Sequence, residues 1–248
     1  HTLFPYTTLF RSSPGEIYKG VVKNIVPAIK CAFIDIGYHK NAYMYLNHKF
    51  KNDDVKNGDE VLVEIMKESL GEKGPKVTSS ISVPGRYVVI VTHNKKIGFS
   101  KKIEDNDNFK SYIKDNINKP DDIGIMIRTN ALDATIEDIN KELEKLYDNY
   151  KKIVQEGTYS LKPKLLYNGG GTLGRILNDI LTFNTKKVIV NNEDDAEYIK
   201  EFVKDKSDLE LEIEVYSGKQ SLFSHYNIEK EILSLRNNKI VLPSGGNI

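Results

Sequence analysis

The sequence predicts an α+β chain, with a small five-stranded barrel first and two units of alternating strands and helices after it. Three observations carry that expectation. Five short β-patterned runs with turn residues between them fill residues 15–91, an amphipathic helical pattern runs over 133–154, and strand and helix patterns alternate from residue 164. Counts of 36 Lys+Arg against 35 Asp+Glu leave a net charge of +1, so any polyanion contact must come from local patches and not from a whole-molecule field.

Taken in order, the first run is marked by Ile17, Tyr18, Val21, Val22, Ile25 and Val26. Cys31–Ile36, Ala42–Leu46, Val61–Met66 and Val77–Ser82 follow as the second to fifth. Gly37, Asn57-Gly58-Asp59 and Gly71-Glu72-Lys73-Gly74-Pro75 supply turn chemistry between them. Five strands in so few residues suggest an OB-fold, the five-stranded barrel that binds oligonucleotides, over 15–91.

Residues 92–163 form a second unit. A Lys-rich turn, Asn94-Lys95-Lys96, leads through Lys101-Lys102 to an acidic helical stretch and a strand at Ile123–Arg128. A long helix is then expected from Asp133 to Val154, with Ile136, Ile139, Leu143, Leu146, Tyr147, Tyr150 and Ile153 on one face. Asp133 is the expected N-cap and Gly157 the expected stop. Residues 164–241 read as a third unit, with strands at 164–167, 187–190, 209–216 and 239–242 and helices at 175–183, 196–203 and 227–235.

The two ends are read apart from the fold. HTLFPYTTLFRS shares no pattern with the rest of the chain, and Thr2–Ser12 resemble a translated sequencing adapter, so residues 1–14 are expected to be a foreign tail. The single cysteine, Cys31, cannot form an internal disulfide, and no CxxC or HxxxH pairing marks a zinc site. No apolar run approaches the roughly 20 residues that a membrane-spanning helix needs, and the mean hydropathy is −0.44. A cytoplasmic protein is expected.

Three groups of residues could carry chemistry. Phe33 and Tyr43 lie on neighbouring expected strands, with Lys67 and Lys73 flanking the Glu68–Glu72 turn. Exposed rings stack bases and lysines neutralise phosphates, which suits single-stranded RNA. Periodicity alone leaves both rings divided between the barrel core and its outer face. The second group is Gly169-Gly170-Gly171-Thr172-Leu173-Gly174, which satisfies GxGxxG between an expected strand and helix, with Glu193 and Asp194 beyond it, and leaves dinucleotide binding open. In the third, Ser224, His225 and Glu229, the serine and histidine are sequence neighbours and would rarely face each other as nucleophile and base, so the segment reads as structural.

GEIYKGVVKNIVPAIKCAFIDIGYHKNAYMYL resembles the opening of the S-one-type OB-fold of the ribonuclease E/G family. VPGRYVVIV, GFSKKIE, IMIRTNA, GKQSLFSHYNIEKEI and IVLPSGGNI come after it in that family's order, so the resemblance runs from Gly15 to Ile248. It implies an endoribonuclease that cleaves single-stranded RNA in processing and decay, with Phe33, Tyr43 and Lys73 on the RNA, beside which Lys67 is expected from its place at the turn. It also implies a 5′ sensor that grips the terminal monophosphate through Arg128 and Thr129, walled by Gly85 and Val89. Lys101 matches a sensor arginine, keeping the charge without the planar fork.

The resemblance assigns 164–241 to an incomplete RNase-H-like subdomain and 242–248 to the start of a DNase-I-like catalytic domain. Magnesium held by aspartates of that domain, and a zinc link between subunits, are implied for a homo-oligomeric parent beyond this chain. No catalytic or metal-binding residue and no cofactor is therefore expected within it. The alternative of another class is a non-catalytic RNA-binding regulator.

Overall fold

Period-two alternation puts Tyr18, Gly20 and Val22 on one side of the first strand and Ile17 and Lys19 on the other. In the computed structural model both sides are covered at its start, where Ile17 through Gly20 are all buried. The structure describes residues 13–46, 55–69, 73–103, 105–169, 171–181, 185–204 and 211–234. Residues 1–12 of the tail expected over 1–14, the strand at 239–242, the LPSGGNI segment, the domain start at 242–248 and part of the Glu68–Glu72 turn lie outside them.

The barrel is closed. Strands β1 (Ile17–Val26), β2 (Cys31–Asp35), β3 (Ala42–Tyr45), β4 (Glu60–Lys67) and β5 (Lys76–Thr78) run round in the order β1-β2-β3-β5-β4, and β4 pairs back onto β1. Among the described barrel pairings only β3–β5 is parallel. Tyr18, Val22, Ala32, Ile34, Ile36, Ala42, Met44, Val63, Ile65 and Val77 fill the interior. Gly20 is needed there, because a Cβ on it would lie 2.5 Å from Ile34 Cγ2 and 3.1 Å from the Asp35 carbonyl oxygen.

The fifth strand expected at Val77–Ser82 is two strands. Thr78 Oγ1 accepts the Ser80 N–H at 3.1 Å, a local turn that competes with the ladder, and the chain leaves the barrel as β6 (Ser82–Pro84). Glu64 on β4 holds the departing strand by accepting the Ser82 hydroxyl at 2.9 Å.

A second sheet follows, with β7 (Val88–Val91), β8 (Ile97–Phe99), helix α1 (Asp107–Asn116) and β9 (Gly124–Ile127), ordered β6-β7-β9-β8. Helix α2 (Ile136–Tyr159) packs on its apolar face, where Val83, Val88, Ile90, Ile125 and Ile127 share one core with Ile139, Leu143 and Ile153. Both expected ends of α2 are corrected. Asp133 closes a 3-10 turn over Thr129–Asp133, and the cap is Thr135, whose hydroxyl accepts the Asp138 N–H at 3.2 Å. Gly157 is not a stop. It is buried inside the last turns, where a Cβ would lie 2.5 Å from Leu62 Cδ2 and 3.1 Å from Leu166 Cδ1, so the missing side chain lets the helix pass close over the barrel.

Strand β10 (Lys164–Tyr167) pairs antiparallel with the start of β1 and extends the barrel sheet at that edge. Lys19 is buried beside this junction. Its ammonium donates to the Ser160 carbonyl oxygen and pairs with Glu60 at 2.7 Å, which compensates the charge taken out of water. Helix α3 (Gly171–Ile180) comes next, starting before the expected Arg175.

A separate unit begins at Leu181. Strands β11 (Lys187–Val190) and β12 (Glu212–Val215) pair in parallel on either side of α4 (Glu193–Lys204), which buries Ala196 and Ile199. Helices α5 (Leu222–His225) and α6 (Ile228–Ser234) complete its described part. Among the described residues no helix is long and apolar enough to cross a membrane.

Candidate nucleic-acid interface and anion cleft

The inward choice of Ala32, Ile34, Ala42 and Met44 dictates that Phe33 and Tyr43 face outward, which settles what periodicity left open. The register then aligns them. Phe33 lies opposite Tyr43, Tyr43 opposite Lys76 and Lys76 opposite Lys67, so two rings and two lysines form one row across β2, β3, β5 and β4. A bulge between Ile65 and Lys67 brings Lys67 into that row. Lys73 is exposed on the approach to β5.

Lys76 is the member that sequence reading misses, because Val77–Ser82 as a single strand places the lysine outside it. Asp35, on the same face as Phe33, pairs with Lys23 at 3.3 Å and accepts the Gly37 N–H at 2.9 Å. Rings beside cations on a flat barrel face can stack bases and hold their phosphates.

The second site is a cleft of about 620 Å³ on the outer side of the second sheet, lined by Val89, Ser100, Lys102, Met126, Ile127, Arg128, Thr129 and Asn130. Val89 lies opposite Met126 across β7 and β9, and the two side chains make the apolar floor. Arg128 directly follows β9 as the cap of the 3-10 turn that Thr129 opens, so sequence adjacency brings guanidinium and hydroxyl to one rim. Ser100 Oγ stands 3.2 Å from Thr129 Oγ1. Two hydroxyls, an amide, an ammonium and a guanidinium around one opening can donate to an anion such as phosphate.

Of the residues expected here, Val89, Arg128 and Thr129 line the cleft. Gly85 and Lys101 do not. Gly85 supports from behind, its carbonyl oxygen accepting Arg128 Nη1 at 2.9 Å, and Lys102 supplies the lining lysine next to Lys101. Ser100, Lys102 and Asn130 line the cleft as well, and no local pattern separates them from their neighbours Lys101 and Thr129.

Behind Gly85 stands Glu142 of α2. Its Oε1 accepts the Arg86 N–H at 2.7 Å, and its Oε2 accepts those of Tyr87 at 2.6 Å and Val88 at 3.0 Å. A Cβ on Gly85 would lie 2.7 Å from that carboxylate, so the glycine is what admits it. The signal for Glu142 in the sequence is a carboxylate set between Ile139, Leu143 and Leu146 on the apolar face of the helix.

The other two groups resolve less richly. The strand before the 169–174 glycines is antiparallel to β1 and stands outside any parallel βαβ unit, which is the setting a dinucleotide fingerprint requires. Gly170 is outside the described residues, and a Cβ on Gly169 would lie 2.9 Å from the Gly15 carbonyl oxygen. In the second unit the Ser224 hydroxyl bonds to Glu229, while His225 packs its ring on Tyr216 at 5.0 Å and Tyr226 at 4.9 Å. The Cys31 thiol is buried and its pKa is pushed up by that burial, which opposes use as a nucleophile. Among the described residues no group of three or more His, Cys, Asp and Glu could hold a metal ion.

Residues 82–248 match the sequence model of the Ribonuclease E/G family. The chain is 30% identical to ribonuclease E of Buchnera aphidicola subsp. Acyrthosiphon pisum, over 94% of this chain and 28% of that protein. It is 29% identical to ribonuclease G of Haemophilus influenzae, over 95% of this chain and 52% of that protein. With ribonuclease E of Escherichia coli the identity is 28%, over 95% and 25%. The chain thus spans only part of the length of the curated relatives it matches.

Proposed function

This chain belongs to the ribonuclease E/G family, and from that membership we propose that it is the RNA-capturing portion of a single-strand-specific endoribonuclease that reads a 5′ monophosphate. The barrel, read as an S-one-type OB-fold, lays single-stranded RNA across Phe33 and Tyr43, with Lys67 and Lys73 on its phosphates. The row of rings and lysines across β2, β3, β5 and β4 is the observation that carries this reading, because the β2–β3 face is where OB-folds bind oligonucleotides.

The cleft takes the end of the RNA. Arg128 and Thr129 donate to the terminal phosphate, Val89 walls it, Gly85 holds Arg128 in place, and Lys101 and Lys102 supply positive charge at its mouth. The parent is read as a cytoplasmic, homo-oligomeric enzyme of RNA processing and decay that uses magnesium, with zinc between subunits. The described residues do not fit either ion, so no step of phosphodiester cleavage is assigned to them.

Titration of short single-stranded RNA carrying a 5′ monophosphate or a 5′ hydroxyl tests both halves. The monophosphate is expected to bind more tightly, and Arg128→Ala to erase that preference while leaving hydroxyl-ended RNA within about 2-fold. Phe33→Ala is expected to weaken both ends alike by about 5- to 150-fold, from the loss of about 1–3 kcal/mol of stacking. Equal affinity for the two ends in the unaltered protein removes the end-reading. Failure to bind RNA removes the capture role, and binding without magnesium-dependent cleavage by the whole gene product would favour a regulator.

A further inference from the structure

Strand β3 reads Ala-Tyr-Met-Tyr, and its alternation sends two tyrosines to the outer face of the barrel. Tyr43 belongs to the row already described. Tyr45 lies two residues further on the same side, is 55% exposed, and packs edge-on against Tyr43 with ring centroids 5.8 Å apart. Lys76 Nζ stands 5.2 Å from the centre of the Tyr45 ring. The ring is thus held by a neighbouring ring on one side and a cation on the other, while more than half of its surface remains in water.

A second observation is independent of the rings. Lys76 and Lys67 are register partners on antiparallel strands, and like charges set directly opposite one another destabilise a sheet. Lys73 adds a third ammonium three residues before Lys76. Such a cluster becomes favourable when a polyanion lies across it.

We propose that Tyr45 and Lys76 form a further nucleotide subsite, extending the barrel face by one step beyond Phe33 and Tyr43. A base stacks on the Tyr45 ring. The flexible Lys76 side chain turns from that ring to the accompanying phosphate, with Lys67 on the opposite strand sharing its charge. The two tyrosines are consecutive on one face, about 7 Å apart along the strand, within the span of one step between neighbouring nucleotides. The subsite rests on the reading of this face as an RNA surface.

The test is equilibrium binding of 5′-hydroxyl single-stranded RNA in a length series, with Phe33→Ala as the reference for the face as a whole. Tyr45→Ala is expected to weaken the longer oligonucleotides by about 5- to 150-fold and the shortest ones little, and Tyr45→Phe to restore them. Lys76→Gln is expected to reduce the slope of log affinity against log salt by about 0.7, the value of one phosphate contact on a single strand. Tyr45→Ala that binds every length like the unaltered protein while Phe33→Ala is weakened overturns the subsite and leaves the RNA face standing. Phe33→Ala and Tyr45→Ala both without effect overturn the RNA face itself. Should Tyr45→Ala unfold, the salt slope of Lys76→Gln decides, and an unchanged slope overturns the proposal.

Discussion

Glu142→Ala is expected to lower the stability of the first unit by about 3 kcal/mol or more, read as a shifted midpoint in urea unfolding. One carboxylate accepts three successive backbone N–H groups at the Arg86–Val88 turn, and all three residues are buried. Hydrogen bonds to a charged acceptor are worth about 1.5–3 kcal/mol each, and a buried donor left without a partner costs about 1–3 kcal/mol. The three share one turn and will not add fully.

Glu142→Gln is expected to recover only part of the loss. Both carboxylate oxygens accept, so whichever way the amide is turned, its NH2 faces at least one N–H. The geometry supplies a second readout: the same turn carries the Gly85 carbonyl that holds Arg128, so 5′-end preference should fall before affinity for hydroxyl-ended RNA does. An Ala variant with an unfolding midpoint within about 0.5 kcal/mol of the unaltered protein would show that the turn holds itself, against the cost assigned to such donors.

Gly74→Ala is the other large effect. Its added Cβ would lie 2.0 Å from the Asn41 carbonyl oxygen and 2.9 Å from the Asn41 carbonyl carbon. Both are backbone atoms at the start of β3, where no rotamer change can yield, so the β3–β5 crossing must open. A loss of about 2–3 kcal/mol is expected, at the upper part of the range for forced overpacking. Weaker RNA binding is expected with it, because Lys73 and Lys76 flank the glycine. Gly58→Ala serves as the comparison: nothing lies within 4 Å of a Cβ there, and the only cost is its φ of +91°, about 1 kcal/mol. Equal stability of the two variants would contradict the close approach at Gly74.

Much of the barrel was legible because alternation is local. Each of β1 to β4 can be read from its own residues, and so can the apolar face of α2 with Ile139, Leu143 and Ile153. Places where reading failed involve a partner outside the local pattern. Gly157 looks like a helix stop until Leu62 and Leu166 are seen pressed against it. Asp133 looks like a cap until Thr135 takes the Asp138 N–H. Val77–Ser82 looks like one strand until Thr78 turns it, and the glycines at 169–174 look like a phosphate loop until β10 is found antiparallel to β1.

The site divides along the same line. Phe33, Tyr43, Lys67, Arg128 and Thr129 are recognisable as residue types in a motif order. That Phe33, Tyr43, Lys76 and Lys67 form one row is a fact of register, and register depends on which strands become neighbours. By itself, then, the sequence determined the barrel strands, the long helix, the family and the kinds of side chain available to RNA, since these come from short-range periodicity and ordered motifs. Only the tertiary structure decided that Lys76 and Tyr45 share the outer barrel face with Phe33 and Tyr43, that Lys102 and not Lys101 lines the cleft, and that Glu142 fixes the turn behind Arg128. Each of these rests on a contact between residues that chain closure brings together, and no local pattern records such a contact.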